Sequence, residues 1–211
     1  MRKIFSILLA LCLIIGVTAC AGGDSEETAN TDNGSETTAA EQTDEAGSND
    51  SNSGNATLVV YFSATGNTKG VAEKIASITG VDIYEIKAAE EYTDADLDWN
   101  DSDSRTTHEQ NDPSVRPEIG SDPVSLEGYT TVYIGYPIWW GEEPRIMDTF
   151  VESYDFDGIT MIPFCTSGSS GIGRSGKNLA DNAGSGNWLE GARFGAGASE
   201  DEIRTWIEDM D

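Results

Sequence analysis

Short apolar runs alternate along the chain with stretches whose apolar residues return every three or four positions. Thr57-Leu-Val-Val-Tyr-Phe62 is continuous, as a central parallel strand covered on both faces would be. Asn67 to Thr79 places Val71, Ala72, Ile75 and Ile78 on one helical face, and Gly80 ends it. Val81 to Ile86 alternates like a half-exposed edge strand. Thr131 to Tyr136 reads as a third strand, Pro144 to Tyr154 as a helix, Ile159 to Cys165 as a fourth strand and Gly173 to Asn182 as a helix. Trp188 to Phe194 is a weaker fifth strand, broken by Gly191. Ser199 opens a last helix with Glu202 three residues on, a capping box, and Ile203, Trp206 and Ile207 form its apolar face.

Strands alternating with helices predict an α/β fold, a doubly wound five-stranded parallel sheet with right-handed crossovers. Lys87 to Gly128 is the exception: long, polar and without a clear period. A stretch of that length in a compact domain is usually functional or poorly ordered, and short helical pieces within it cannot be placed from the pattern.

The first 55 residues have a different texture. Arg2 and Lys3 precede a nearly unbroken apolar run from Ile4 to Val17, which is short for a membrane span and reads as a signal peptide over residues 1–20. Val17-Thr18-Ala19-Cys20 resembles a lipobox, which implies a lipid on Cys20 and an exported chain anchored on the outer face of the cytoplasmic membrane or cell envelope. An ordinary secretory signal cleaved near Ala19 would share the same start; the polar tract that follows favours the anchor. Residues 21–55 carry nine acids, no base and no large apolar residue, so they bury too little to offset the entropy of ordering. They are expected to form a disordered, self-repelling linker. The folded domain is assigned to residues 56–211.

Net charge is −26, and residues 56–211 alone hold 29 acids against 10 bases. Such a surface repels nucleic acid and favours solubility or a basic partner. Of the three cysteines, Cys12 lies in the signal and Cys20 takes lipid, leaving Cys165 in an apolar run as a buried, inert thiol.

The first strand ends in Ser63-Ala-Thr-Gly-Asn-Thr68, where a helix begins. Hydroxyl residues around one glycine let the backbone close on an anion, with N–H groups and the helix N-terminus supplying positive potential. Tyr61 to Gly70 resembles the phosphate-binding loop of flavodoxins. The resemblance implies that Ser63, Ala64, Thr65, Gly66, Asn67 and Thr68 hold the phosphate of FMN. It also implies strand order 2-1-3-4-5, the known flavodoxin order, with the flavin at the switch point between strands one and three.

After the third strand comes Tyr136-Pro-Ile-Trp-Trp-Gly141. Two indoles offer flat surface for an isoalloxazine, and Gly141 lets backbone approach the ring. Pro137, Ile138, Trp139, Trp140 and Gly141 are therefore candidate flavin contacts, with either Trp139 or Trp140 stacking and core packing of both as the competing reading. This string, with Pro144-Arg145, resembles a bacterial subgroup of the flavodoxin family. Thr166, Ser167, Gly168, Ser169 and Gly171, after the fourth strand, resemble the same subgroup and suit the polar edge of the ring. Arg105, Glu109, Gln110, Arg116 and Pro117 also look like its middle segment.

Several patterns fail on inspection. Gly171 to Gly176 matches a dinucleotide fingerprint but follows a late strand, and the near P-loop over Gly171 to Lys177 has Asn178 where Ser or Thr is needed. Asp94, Asp96 and Asp98 would begin an EF-hand, yet positions six and twelve are Trp99 and Arg105. With one histidine, His108, no metal site is expected, and no nucleophile–base–orienter set marks a catalytic centre.

Three functions remain. An FMN-bearing electron carrier uses the protein to tune the flavin, with Glu142 and Glu143 disfavouring the anionic reduced form and the acidic surface steering a basic partner. An FMN-dependent reductase of quinones or similar acceptors needs an open pocket over the ring and a reductant such as reduced nicotinamide, which is scarce outside the cell. A flavin-free binding protein on the same fold is the third.

Overall fold

A computed structural model describes residues 56–210. The expected signal peptide, the lipid on Cys20 and the acidic linker over residues 21–55 lie outside the described residues. In chain order the elements are β1 (Thr57–Phe62), α1 (Asn67–Thr79), β2 (Asp82–Ile86), α2 (Arg105–Asn111), β3 (Thr131–Pro137), α3 (Arg145–Glu152), β4 (Thr160–Thr166), α4 (Ser175–Ala183), β5 (Asn187–Trp188), β6 (Ala192–Phe194) and α5 (Glu200–Glu208).

The strands pair in parallel in the order β2-β1-β3-β4-β5, and β6 continues the outer edge against β4. The two-residue alternation of side chains sorts the sheet into two layers. Leu58, Val60 and Phe62 of β1 join Val132, Ile134 and Tyr136 of β3 under Ile146, Met147 and Phe150 of α3 and Leu179 of α4. Val59 and Tyr61 face the other way, with Tyr133 and Phe164, under Val71, Ala72 and Ile75 of α1 and Ile203 and Ile207 of α5. Gly135 falls on this second face, opposite Phe164 in the register. A Cβ there would sit 2.1 Å from Phe164 Cζ, so the missing side chain of β3 is the space the ring fills.

The expected fifth strand is two short pieces. Met161 pairs with Trp188 and Phe164 with Ala192, so three steps on β4 face four on the outer edge. The extra residue is a bulge. The carbonyls of Ile159 and Met161 accept from this edge, so alternate residues of β4 point their backbone groups towards it. Pro163 is next in that series and has no N–H to give. A Cβ on Gly191 would come within 2.5 Å of the Pro163 carbonyl oxygen, so the edge closes on the proline only through a glycine.

The stretch from 87 to 128 is ordered. Ala88 bridges Ile119 in antiparallel fashion, with Gly120 N–H donating to the Lys87 carbonyl at 2.8 Å. Between these ends lies α2, capped by Ser104, whose hydroxyl accepts from Thr107 N–H. Its period escapes a sequence reading because the helix has only seven residues and buries threonines and Glu109 rather than aliphatic side chains. Cys165 is fully buried, and burial pushes its thiol up to about 12.

Candidate functional site

Three loops leave the carboxyl ends of β1, β3 and β4 at one edge of the sheet. Thr68 and Thr166 join the first and third of them, their hydroxyl oxygens 2.8 Å apart in the interior. Ile138 N–H donates to the Thr166 carbonyl at 2.9 Å and joins the second. Arg193 on β6 pins the third from outside, donating to the carbonyls of Ser167 at 2.6 Å and Gly168 at 2.7 Å.

The β1 loop enters α1 through Gly66 at φ 84°, a left-handed conformation that glycine adopts without a Cβ clash. No side chain caps this helix and no acid lies in its first turn, whereas Ser104 caps α2 and Ser199 caps α5. The first N–H groups of a helix lack intrahelical partners and carry positive potential. Thr65 and Asn67 stand exposed beside them, with Asn67 Nδ2 donating to Thr65 Oγ1 at 3.2 Å. Ser63 Oγ is buried and has no hydrogen-bond partner among the described residues. An uncapped helix N-terminus flanked by polar side chains can take an anion.

From this cradle a crevice runs over the β3 loop. Its part nearer the helix, about 290 Å³ and of mixed polarity, is bordered by Thr65, Asn67, Pro137 to Trp139 and Thr166 to Gly168. Thr65, Ile138 and Trp139 also border an apolar part of about 380 Å³, walled by Leu97, Trp99, Thr106 and Trp140. Ser63 and Ala64 face a neighbouring polar hollow of about 310 Å³ on the β2 side, with Glu85 to Ala88, Glu91 and Tyr92. Gly141 is exposed at the tip of the β3 loop, and Ser169 and Gly171 are exposed in the outer part of the β4 loop. None of those three borders the crevice.

The two indoles have different roles. Trp139 packs edge-on against Phe62 and Tyr92, with centroids 5.7 and 5.2 Å away. Trp140 is 47% exposed. Trp139 and Glu142 exchange both backbone hydrogen bonds, at 2.9 and 3.0 Å, across a two-residue turn. Its central residues, Trp140 and Gly141, have φ of 51° and 86°, the hand of a type I′ turn. Among the described residues Trp140 is the only non-glycine with positive φ, and a bulky residue there carries strain.

A buried polar network holds this turn. Gln110 Nε2 donates to the carbonyls of Trp139 at 2.8 Å and Glu143 at 3.2 Å. Arg145, nearly buried, donates to Glu142 at 2.9 Å and lies 3.5 Å from Asp148 and 3.8 Å from Glu143. Asn178 donates to the Glu143 carboxylate at 3.2 Å. Burial pushes the Glu143 carboxyl up to about 7; the Asp148 charge adds to this, and Asn178 and Arg145 oppose it. Burial also raises Asp148. Glu142, by contrast, is half exposed.

The sequence did not single out Leu97, Trp99 or Thr106 as site residues. One signal was present: Trp99 is a lone indole in an otherwise polar, acidic stretch.

The flavodoxin family profile matches residues 56–210. A candidate flavoprotein of known crystal structure from Bacteroides uniformis is 48% identical, covering 74% of this chain and 99% of its own, with a TM-score of 0.70. A second, from Bacteroides eggerthii, is 45% identical over 74% of this chain and 98% of its own, with a TM-score of 0.69. A Lactobacillus acidophilus flavoprotein crystallised in complex with FMN is 25% identical over 73% of this chain and 99% of its own, with a TM-score of 0.57. No curated protein matches the chain.

Proposed function

From a chain that belongs to the flavodoxin family, matched over residues 56–210, we propose an electron carrier that works on bound FMN while anchored by lipid outside the cell membrane. FMN is the cofactor. When bound, it takes up and releases electrons singly or in pairs; the rest is the work of this chain's residues. Thr65, Asn67 and the orphaned Ser63 hydroxyl, with the open N–H groups of α1, hold the phosphate. Pro137 to Trp140 form the wall of the ring site, and Thr166 to Gly168 supply the facing backbone. Arg145 neutralises part of the charge of Glu142, Glu143 and Asp148, so the acids behind the turn oppose added negative charge on the ring less than their number suggests.

The observation that carries this reading is the continuity of the crevice. It begins at an uncapped helix N-terminus, beside Thr65 and Asn67, and ends, through the shared Thr65, Ile138 and Trp139, among indoles. A phosphate joined to a flat aromatic ring matches both ends. The acid excess of the domain favours a basic redox partner. For the anchor, support comes from the sequence alone: the lipobox-like Val17 to Cys20 and the acidic tract after it.

The test is a redox titration of the purified flavin-loaded chain, with steady-state assays using reduced nicotinamide and a quinone. Reversible reduction by an electron donor with negligible nicotinamide oxidation supports a carrier. Rapid quinone-dependent oxidation of nicotinamide would make the protein a reductase instead. Mass spectrometry of the exported protein tests the anchor; an unmodified Cys20, or a mature chain starting elsewhere, would refute it.

A further inference from the structure

Trp99 presents the largest exposed apolar side chain among the described residues, at 74% exposure. Singly exposed apolar side chains are ordinary, but Trp99 borders a cavity. The tryptophan's loop stands on a stiff support. Thr93 N–H and Oγ1 both donate to the Asp96 carboxylate, at 2.8 and 2.7 Å. Asn100 N–H donates to Asp98 Oδ1 at 2.9 Å, directly after the tryptophan. The Asp96 carbonyl accepts from the buried Thr106 hydroxyl at 2.6 Å, and the Asp101 carbonyl from Thr107 Oγ1 at 3.0 Å. Both anchor the loop to α2, which is in turn fixed to the β3 loop through Gln110. The backbone that carries the indole is thus fixed, and Trp99 borders the apolar part of the crevice together with Trp140.

We infer that Trp99 is a wall of the flavin-ring site, supplied by the segment between β2 and β3 rather than by any of the three loops at the strand ends. The inference rests on the FMN reading and adds a residue to it. Two observations select the occupant. The cavity beside Trp99 is apolar and of a size that suits a planar ring, about 380 Å³. It also shares Thr65, Ile138 and Trp139 with the part that reaches the uncapped N-terminus of α1, so a ligand spanning both suits an anionic tail and an aromatic head. An indole carried on an already ordered loop gives contact area at reduced entropic cost.

The test titrates the full chain with FMN and, separately, with riboflavin, which has the ring without the phosphate. Trp99→Ala is expected to weaken both by a similar factor, about tenfold. Trp99→Phe should restore most of that loss. Asn67→Asp, at the phosphate end, should weaken FMN and spare riboflavin. Since Trp99 is mostly exposed, the Ala variant should keep the parent's circular dichroism and unfolding midpoint. The inference is overturned if Trp99→Ala binds both flavins as tightly as the parent, or loses FMN while keeping riboflavin. A parent chain that binds neither flavin would overturn the FMN reading itself, and this inference with it.

Discussion

The side-chain amide of Gln110 donates to the Trp139 carbonyl at 2.8 Å, so a short helix from the polar middle of the chain fixes the turn that carries Trp140. The same amide reaches the Glu143 carbonyl at 3.2 Å and thus brackets the strained pair Trp140-Gly141 from both sides. Strain in such a turn persists only when its surroundings over-determine it.

Gln110→Leu removes both bonds but strands only the Glu143 carbonyl, because the Trp139 carbonyl keeps the Glu142 N–H at 3.0 Å; it also removes the buried Gln110 Oε1, which has no partner among the described residues. Each lost bond is worth about 1 kcal/mol net, and an acceptor left unpaired costs about 1–3 kcal/mol. The variant should lose about 1–3 kcal/mol in urea unfolding. A change within error would mean that the turn holds itself.

Glu143 gives a signed pH dependence. Its folded-state value is raised to about 7 from an ordinary 4.5, so the folded chain binds this proton more tightly than the unfolded chain. Stability should therefore fall as pH rises from about 4.5 through 7 and level off above. Glu143→Gln keeps the shape and removes the titration. Its stability relative to the parent should rise by about 1–3 kcal/mol between pH 5 and pH 8. Parallel pH profiles for the two proteins would place the ionisation elsewhere, with Asp148 the first alternative, since burial raises it too.

Trp140 should show a trade of stability for binding. Asparagine tolerates positive φ, so Trp140→Asn should stabilise the FMN-free chain by about 1 kcal/mol. It should also weaken FMN and brighten the bound flavin by removing a quencher. Trp139→Ala is expected to behave differently, because its indole packs on Phe62 and Tyr92. Its loss should cost about 3 kcal/mol or more. Thermal melts with and without FMN separate the two cases; equal destabilisation in both variants would assign both indoles to the core.

Much of this was legible in the sequence, for identifiable reasons. The runs Thr57 to Phe62 and Thr131 to Tyr136 are buried on both faces, so they read as strands without tertiary help. Gly80 sits at φ 70° as the residue that ends α1, and Ser199 accepts from Glu202 N–H as the capping pattern requires. The split of the outer strand was only half visible. Gly191 marked the break, but its cause is Pro163 on the neighbouring strand. The middle segment was opaque because its order comes from side-chain bonds rather than an apolar period: Arg105 pairs with Glu109 at 2.7 Å, and Tyr92 donates to Glu109 at 2.8 Å. That segment supplies Gln110, which holds the β3 turn, and Trp99, which borders the crevice; the pattern placed the three loops at the strand ends but gave no sign of these two residues' positions.

The central claim is that the cradle at the start of α1 holds the phosphate of FMN, and an equilibrium titration of the full chain with FMN, beside Thr65→Asp, tests it most directly. The parent should bind one FMN per chain with quenched flavin fluorescence. The variant sets a carboxylate against the phosphate where the helix N-terminus offers its N–H groups, and should bind at least about tenfold more weakly. A parent that leaves FMN free, or a variant that binds as tightly as the parent, would contradict the account.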